Sequence, residues 1–103
     1  MIEVIKVEYT VQPEYVETNK ANIRKVMADL RSKNVSGFKY FSQLAEDGVT
    51  FMHIAIKENA DVINPLNEME SFNAFRGALK ASSPVAPPKS TKHTLVGSGH
   101  DLF

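Results

Sequence analysis

The side chains whose chemistry is read first are histidine, tyrosine and carboxylate groups, in a sequence with 3 His and 3 Tyr but no cysteine and no tryptophan. His53 is the first candidate. It stands in the middle of the run FMHIAIK, where an imidazole can accept a proton or orient a phenolic ligand near neutral pH. The plainer alternative is a core histidine bonded to Ser42 across a hairpin. Glu8, on the polar parity of the first strand, and His93, from the last strand, could converge on His53 from neighbouring positions. Tyr40 offers a hydroxyl that polarises a substrate oxygen, or a ring that stacks on an aromatic ligand. His53 is therefore the candidate catalytic residue, and Glu8, Tyr40, Ser42, Phe51 and His93 are the candidate pocket lining.

Other chemistry finds little support. His53, His93 and His100 show no ligand spacing such as H-x-x-x-H, so no metal site is expected. His100 and Asp101 read as a frayed polar tail. Gly97 and Gly99 lack the third glycine and the following helix of a phosphate loop, and read as a strand exit. Phe72 and Phe75 read as core of a second helix, and Arg24, Lys25 and Arg31 as a solvated helix face.

Composition narrows the partners. The chain has 103 residues with 12 Lys plus Arg against 12 Asp plus Glu, and a neutral, scattered charge does not suit phosphate backbones, so nucleic acid is not expected. Without cysteine there is no disulfide framework, no thiolate nucleophile and no Cys-ligated zinc or iron–sulfur cluster. No window approaches the ~20 apolar residues of a membrane span. The N-terminus opens on alternating sequence and not on the apolar block of a signal peptide, so a cytoplasmic protein without a membrane partner is expected. The length suits one domain, expected over residues 1–98, with 99–103 as a C-terminal tail.

These side chains must be positioned by the local elements. Ile5, Val7, Tyr9 and Val11 alternate with Lys6, Glu8, Thr10 and Gln12, the period-2 pattern of a strand with two different faces. From Pro13 to Asn34, the residues Val16, Ile23, Val26, Met27 and Leu30 recur at helical spacing, with acidic residues early and basic ones late. Phe38 to Glu46 and Val49 to Glu58 read as strands joined by Asp47-Gly48, a hairpin signal that suits two positive φ angles. A short turn limited by Pro65 follows, and Ser71 is positioned to cap a second helix that stops near Ser82 or Ser83, before Pro84. Pro87-Pro88 restarts an extended chain, and Lys89 to Gly97 reads as a fourth strand.

The order is strand, helix, strand, strand, helix, strand. This predicts an α+β fold of the ferredoxin-like βαββαβ type with a four-stranded antiparallel sheet. Crossover handedness further suggests strands one and three as parallel neighbours at its centre. A two-residue loop at Asp47-Gly48 sets Leu44 opposite Phe51, Ser42 opposite His53, and Tyr40 opposite Ala55 on one face. The other face then holds Phe41 with Ile54, Gln43 with Met52, and Lys39 with Ile56. Both faces carry apolar residues. If the helices cover the Phe41, Met52, Ile54 and Ile56 side, then Phe38, Tyr40, Leu44 and Phe51 are left exposed, which marks an interface or a ligand site. Two chains packing sheet against sheet around a cavity is the expected arrangement. A pocket well below ~300 Å³ would favour a pure interface.

The segments VEYTVQPEY, FSQLAEDGVTFMHIAIKE and SFNAFRGAL, with a Pro-Pro entry into HTLVGS, resemble the dimeric α+β barrel superfamily, close to the antibiotic biosynthesis monooxygenase domains. The resemblance runs from Met1 to about Ser98 and lies in element order. It implies a homodimer with a small-molecule pocket and cofactor-independent oxygenation of quinol-like or aromatic substrates, with no cofactor. In that chemistry a proton is taken from the substrate and the electron-rich anion reacts directly with dioxygen. The haem-degrading members of the superfamily use a tryptophan that this chain lacks, which disfavours that activity. The alternative is a non-enzymatic module that binds a small apolar or aromatic ligand, or one that only forms dimers.

Overall fold

The computed structural model describes all 103 residues. In chain order it contains β1 (Glu3–Thr10), a 3₁₀ turn (Pro13–Tyr15), α1 (Val16–Lys33), β2 (Phe38–Leu44), β3 (Thr50–Lys57), a second 3₁₀ turn (Leu66–Glu68), α2 (Glu70–Ala81) and β4 (Ala86–Thr94). The sheet order is β2-β3-β1-β4 and every neighbouring pair is antiparallel. This is the ferredoxin-like arrangement the element order predicts, with one correction. β1 and β3 are central neighbours but antiparallel, because the α1 crossover makes β1 and β2 run alike and the hairpin then reverses the chain. No helix is long and apolar enough to cross a membrane.

The hairpin register agrees with the sequence count at every pair from Lys39↔Ile56 to Leu44↔Phe51. Its loop differs. Ala45 N–H donates to the Thr50 carbonyl at 2.8 Å and Gly48 N–H to the Ala45 carbonyl at 3.0 Å, so the turn is Ala45–Gly48 and Gly48 alone has positive φ, at 77°. Asp47 instead accepts from the backbone N–H of Val49 and Thr50 and from the Thr50 hydroxyl. These bonds, the hydroxyl's foremost, hold its carboxyl below the usual range. A loop longer by two residues keeps the parity of the facing strands, so the register survives.

The C-terminal end of α1 follows from local chemistry. Arg31 and Lys33 lie in the last turn, where cations oppose the helix dipole. Asn34 closes the helix at φ 48°, a left-handed conformation that asparagine tolerates. α2 starts one residue before Ser71, and Ser71 makes no cap; its hydroxyl donates to Asp29 of α1 at 2.7 Å, tying the helices together. β4 starts earlier than its threonines suggest and includes Pro87 and Pro88. They lie where the pairing shifts from Glu8↔Lys89 to Thr10↔Ala86, on an edge strand whose missing N–H groups break no required ladder bond.

The helices cover one face of the sheet, and it is the face opposite to the one expected. The core joins Tyr9, Val11, Phe38, Phe51 and Ala55 to Ile23 and Val26 of α1 and Phe75 and Leu79 of α2, with Tyr40 and Leu44 packed against it. Phe38, Tyr40, Leu44 and Phe51 therefore lie under the helices. The uncovered face carries Phe41, which is 45% exposed, with Met52 and Ile54 half-buried. The reason lies in β1. Val7 pairs with His53 and Tyr9 with Phe51, so the apolar row of β1 carries the His53 row with it to the helices, while Lys6 and Glu8 face outward.

Candidate functional site

A chain of hydrogen bonds runs through the core between helix and sheet. Asn19, fully buried at 0% exposure, lies on the apolar stripe of α1 between Val16 and Ile23. Its Nδ2 donates to the Tyr9 hydroxyl at 2.9 Å. The Tyr9 hydroxyl meets His53 Nε2 at 2.8 Å, and His53 Nδ1 meets the Tyr40 hydroxyl at 2.6 Å. The three rings lie in a loose stack, His53 at 5.4 Å from Tyr9 and 5.7 Å from Tyr40, and Phe75 of α2 closes over the imidazole at 5.4 Å.

Burial governs the charge of this network. His53 is 3% exposed, and the loss of water pushes its imidazolium pKa down to about 4. Burial also pushes the Tyr9 and Tyr40 hydroxyls well above their ordinary value of 10, with the Asn19 bond acting in the opposite direction on Tyr9. All three groups are neutral at pH 7. A neutral imidazole has one donor and one acceptor, so proton counting assigns the tautomer. With the Asn19 amide donating to Tyr9, Tyr9 donates to Nε2 and Nδ1–H donates to Tyr40, so the Tyr9 hydrogen and the ring N–H both have acceptors. The reverse order leaves the Tyr9 hydrogen without an acceptor, which costs roughly 1–3 kcal/mol. The first order frees the Tyr40 hydrogen. Two buried atoms in this region have no partner, Asn19 Oδ1 and the Tyr15 hydroxyl one turn before it.

Tyr40 connects the network to open space. A groove of about 430 Å³ lies between α1 and the β2–β3 hairpin, floored by Ile23, Met27, Leu30, Tyr40, Leu44 and Phe51 and rimmed by Lys20, Arg24 and Arg31. A second hollow of about 480 Å³, bordered by Val35 and Phe38, shares Leu30, Arg31 and Tyr40 with it along the edge strand β2. Tyr40, Ser42 and Phe51 thus border one groove. His53 stands behind Tyr40, with both ring nitrogens bonded to tyrosines and neither to Ser42.

Glu8 and His93 do not join this site. Val7 pairs with His53, so Glu8 points to the opposite face, where it is ion-paired with Lys6 at 3.2 Å. His93 pairs with Val4 on that same outer face and bonds to Thr91 at 2.8 Å. The expected convergence fails because strand neighbours alternate faces. Sequence reading also passed over Tyr9 and Asn19. The available signal was Asn19 itself, an amide at helical spacing inside an otherwise apolar stripe, since such a residue is buried only with a partner.

The arrangement fixes the Tyr40 side chain at the groove through the bond from its hydroxyl to His53. No group of three or more His, Asp or Glu side chains is disposed to hold a metal ion.

No protein-family model matches the chain, and no curated protein matches it. Solved structures do. The Rv0793 protein of Mycobacterium tuberculosis superposes with TM-score 0.76 at 10% identity over 97% of this chain and 100% of that one. An antibiotic biosynthesis monooxygenase superposes with TM-score 0.74 at 14% identity, over 94% and 100%. SnoaB, a cofactor-independent oxygenase from Streptomyces nogalater, gives 0.63 at 16% identity, over 97% and 98%. At such identities the likeness speaks for architecture and not for chemistry. On that architecture, the chain has the fold of solved structures described as antibiotic biosynthesis monooxygenases.

Proposed function

We propose that the groove between α1 and the β2–β3 hairpin binds an aromatic hydroxyl compound, and that the protein is a cofactor-independent monooxygenase of such quinol-like substrates. One observation carries this reading: Tyr40 borders a groove of about 430 Å³ and its hydroxyl is bonded at 2.6 Å to a buried histidine. The volume falls within the ~300–1,000 Å³ of small-molecule sites. SnoaB, of the same fold, is described as a cofactor-independent oxygenase.

In the proposed reaction the substrate binds with its ring on the apolar floor and its oxygen at the Tyr40 hydroxyl. An activated CH₂ beside the conjugated ring loses one proton to solvent at the open mouth of the groove, and the resulting anion is stabilised by the Tyr40 hydrogen bond. The anion passes electrons to dioxygen and a C–O bond forms, giving a hydroperoxide once a proton is returned. Loss of water converts this carbon to a carbonyl. One oxygen atom ends in the product and the other in water, and all four electrons come from the substrate. His53 stands behind Tyr40 as a positioning residue that fixes its hydroxyl, because an imidazole held neutral to about pH 4 is a weak base.

The uncovered sheet face supports a homodimer in this reading. Phe41 at 45% exposure, with Met52 and Ile54 half-buried beside it, is an apolar surface that a second copy would cover.

The test is oxygen uptake with a panel of anthrones and hydroquinones, corrected for autoxidation, in the parent protein and in Tyr40→Phe. Uptake that falls at least tenfold in the variant supports the reading. No uptake across the panel refutes the oxygenase. A second reading then remains, a non-enzymatic binding module, which the engagement of both His53 nitrogens by tyrosines favours.

A further inference from the structure

The rim of the groove is cationic in a chain whose formal net charge is zero. Lys20, Arg24 and Arg31 border it, and no Asp or Glu does. Lys20 is bonded to Glu17 at 3.1 Å. Arg24 and Arg31 take part in no ion pair, although Asp29 lies on the same helix, because Asp29 accepts from Ser71 on the α2 side. The two arginines are seven residues apart, two turns or roughly 10.5 Å along α1, on one side of the groove. The dipole at the C-terminus of α1 accounts for a basic residue at Arg31, but not for Arg24 in mid-helix. Two unpaired guanidiniums above an apolar floor match an amphiphile with an anionic end, since a guanidinium binds carboxylate through two parallel hydrogen bonds.

We propose that the ligand of this groove is an aromatic acid, with its ring on Met27, Leu30 and Phe51, its hydroxyl at Tyr40, and its anionic group held by Arg24 and Arg31. This rests on the reading of the groove as a small-molecule site and adds the charge class of the ligand. The same rim favours the electron-rich anion that oxygenation requires, since a nearby positive charge stabilises negative charge developing on the ligand.

The experiment compares 6-hydroxy-2-naphthoate with 2-naphthol, the same ring and hydroxyl without the carboxylate. Binding is followed by calorimetry and by amide chemical shifts at Met27, Tyr40 and Leu44. The acid is expected to bind about tenfold more tightly than the naphthol, the worth of a charge-assisted hydrogen bond. That advantage is expected to shrink in high salt. It should disappear in the double variant Arg24→Gln/Arg31→Gln and return in large part in Arg24→Lys/Arg31→Lys, which restores charge but not the fork. The naphthol itself should bind all three proteins alike. Equal affinity of acid and naphthol for the parent protein overturns the proposal and leaves the groove reading intact. An advantage that persists in the Gln variant also overturns it. Absence of shifts with either compound overturns the groove reading together with this one.

Discussion

Acidification should destabilise this fold through His53 before most carboxylates titrate. In the unfolded chain the imidazole titrates near 6.5, and in the folded protein burial lowers this to about 4. Between those values the unfolded state binds a proton that the folded state refuses, so stability falls as pH falls. The full effect is about 3.5 kcal/mol, at about 1.4 kcal/mol for each tenfold change in proton affinity, and about 2.5 kcal/mol of it is lost by pH ~4.5. No carboxylate is bonded to the imidazole to oppose this. Its hydrogen-bond partners are the hydroxyls of Tyr9 and Tyr40, and its ring neighbours also include Phe75. Urea unfolding by circular dichroism at steps from about pH 7.5 to 4.5 reads the loss, and the same series on His53→Gln supplies the background from carboxylates such as Asp47. The parent should lose about 2.5 kcal/mol more than the variant across this range. Equal slopes would refute the reasoning. Should the variant not fold, an imidazole titration of the parent by NMR decides the matter, and a midpoint near 6.5 has the same consequence.

Other perturbations probe separate features. Tyr40→Phe leaves His53 Nδ1 buried without its 2.6 Å partner and should cost roughly 1–3 kcal/mol in urea unfolding. Gly37→Ala places a Cβ 3.1 Å from Val62 and 3.2 Å from Glu58 at φ +74°, whereas Gly48→Ala at φ +77° meets open space. Both should destabilise by about 1 kcal/mol for the left-handed backbone, and Gly37→Ala should melt lower than Gly48→Ala because crowding adds to strain. Phe41→Glu puts a charge on the uncovered sheet face. Sedimentation should find the variant monomeric at concentrations where the parent is dimeric, with circular dichroism unchanged; a parent that is already monomeric at micromolar concentration would remove the dimer.

Local signals were legible wherever the interacting residues are close in sequence. The β2–β3 register could be counted from Asp47-Gly48 outward, and it survived a turn of different geometry because the loop kept its parity. The helical stripe from Val16 to Leu30 announced α1, and Pro84 marked the end of α2. The choice of covered face was not legible in the hairpin, since Phe38, Tyr40 and Phe51 on one side and Phe41, Ile54 and Ile56 on the other are equally apolar. Only the β1–β3 pairing decides it, and that pairing joins residues 40 or more positions apart. Of the candidate site residues, Tyr40, Ser42 and Phe51 border the groove, His53 lies behind it, and Glu8 and His93 lie on the other face.

The sequence by itself determined the element order, the α+β class and the hairpin register, because periodicity and turn chemistry act over a few residues. It also removed thiolate chemistry through the absence of cysteine. The tertiary structure decided what surrounds His53. Tyr9 reaches it across a strand pair and Phe75 closes over it from α2, while Asn19 of α1 anchors Tyr9. Burial then turns an ordinary histidine into one held neutral between two tyrosines, because a charge loses its water wherever separate elements converge on it.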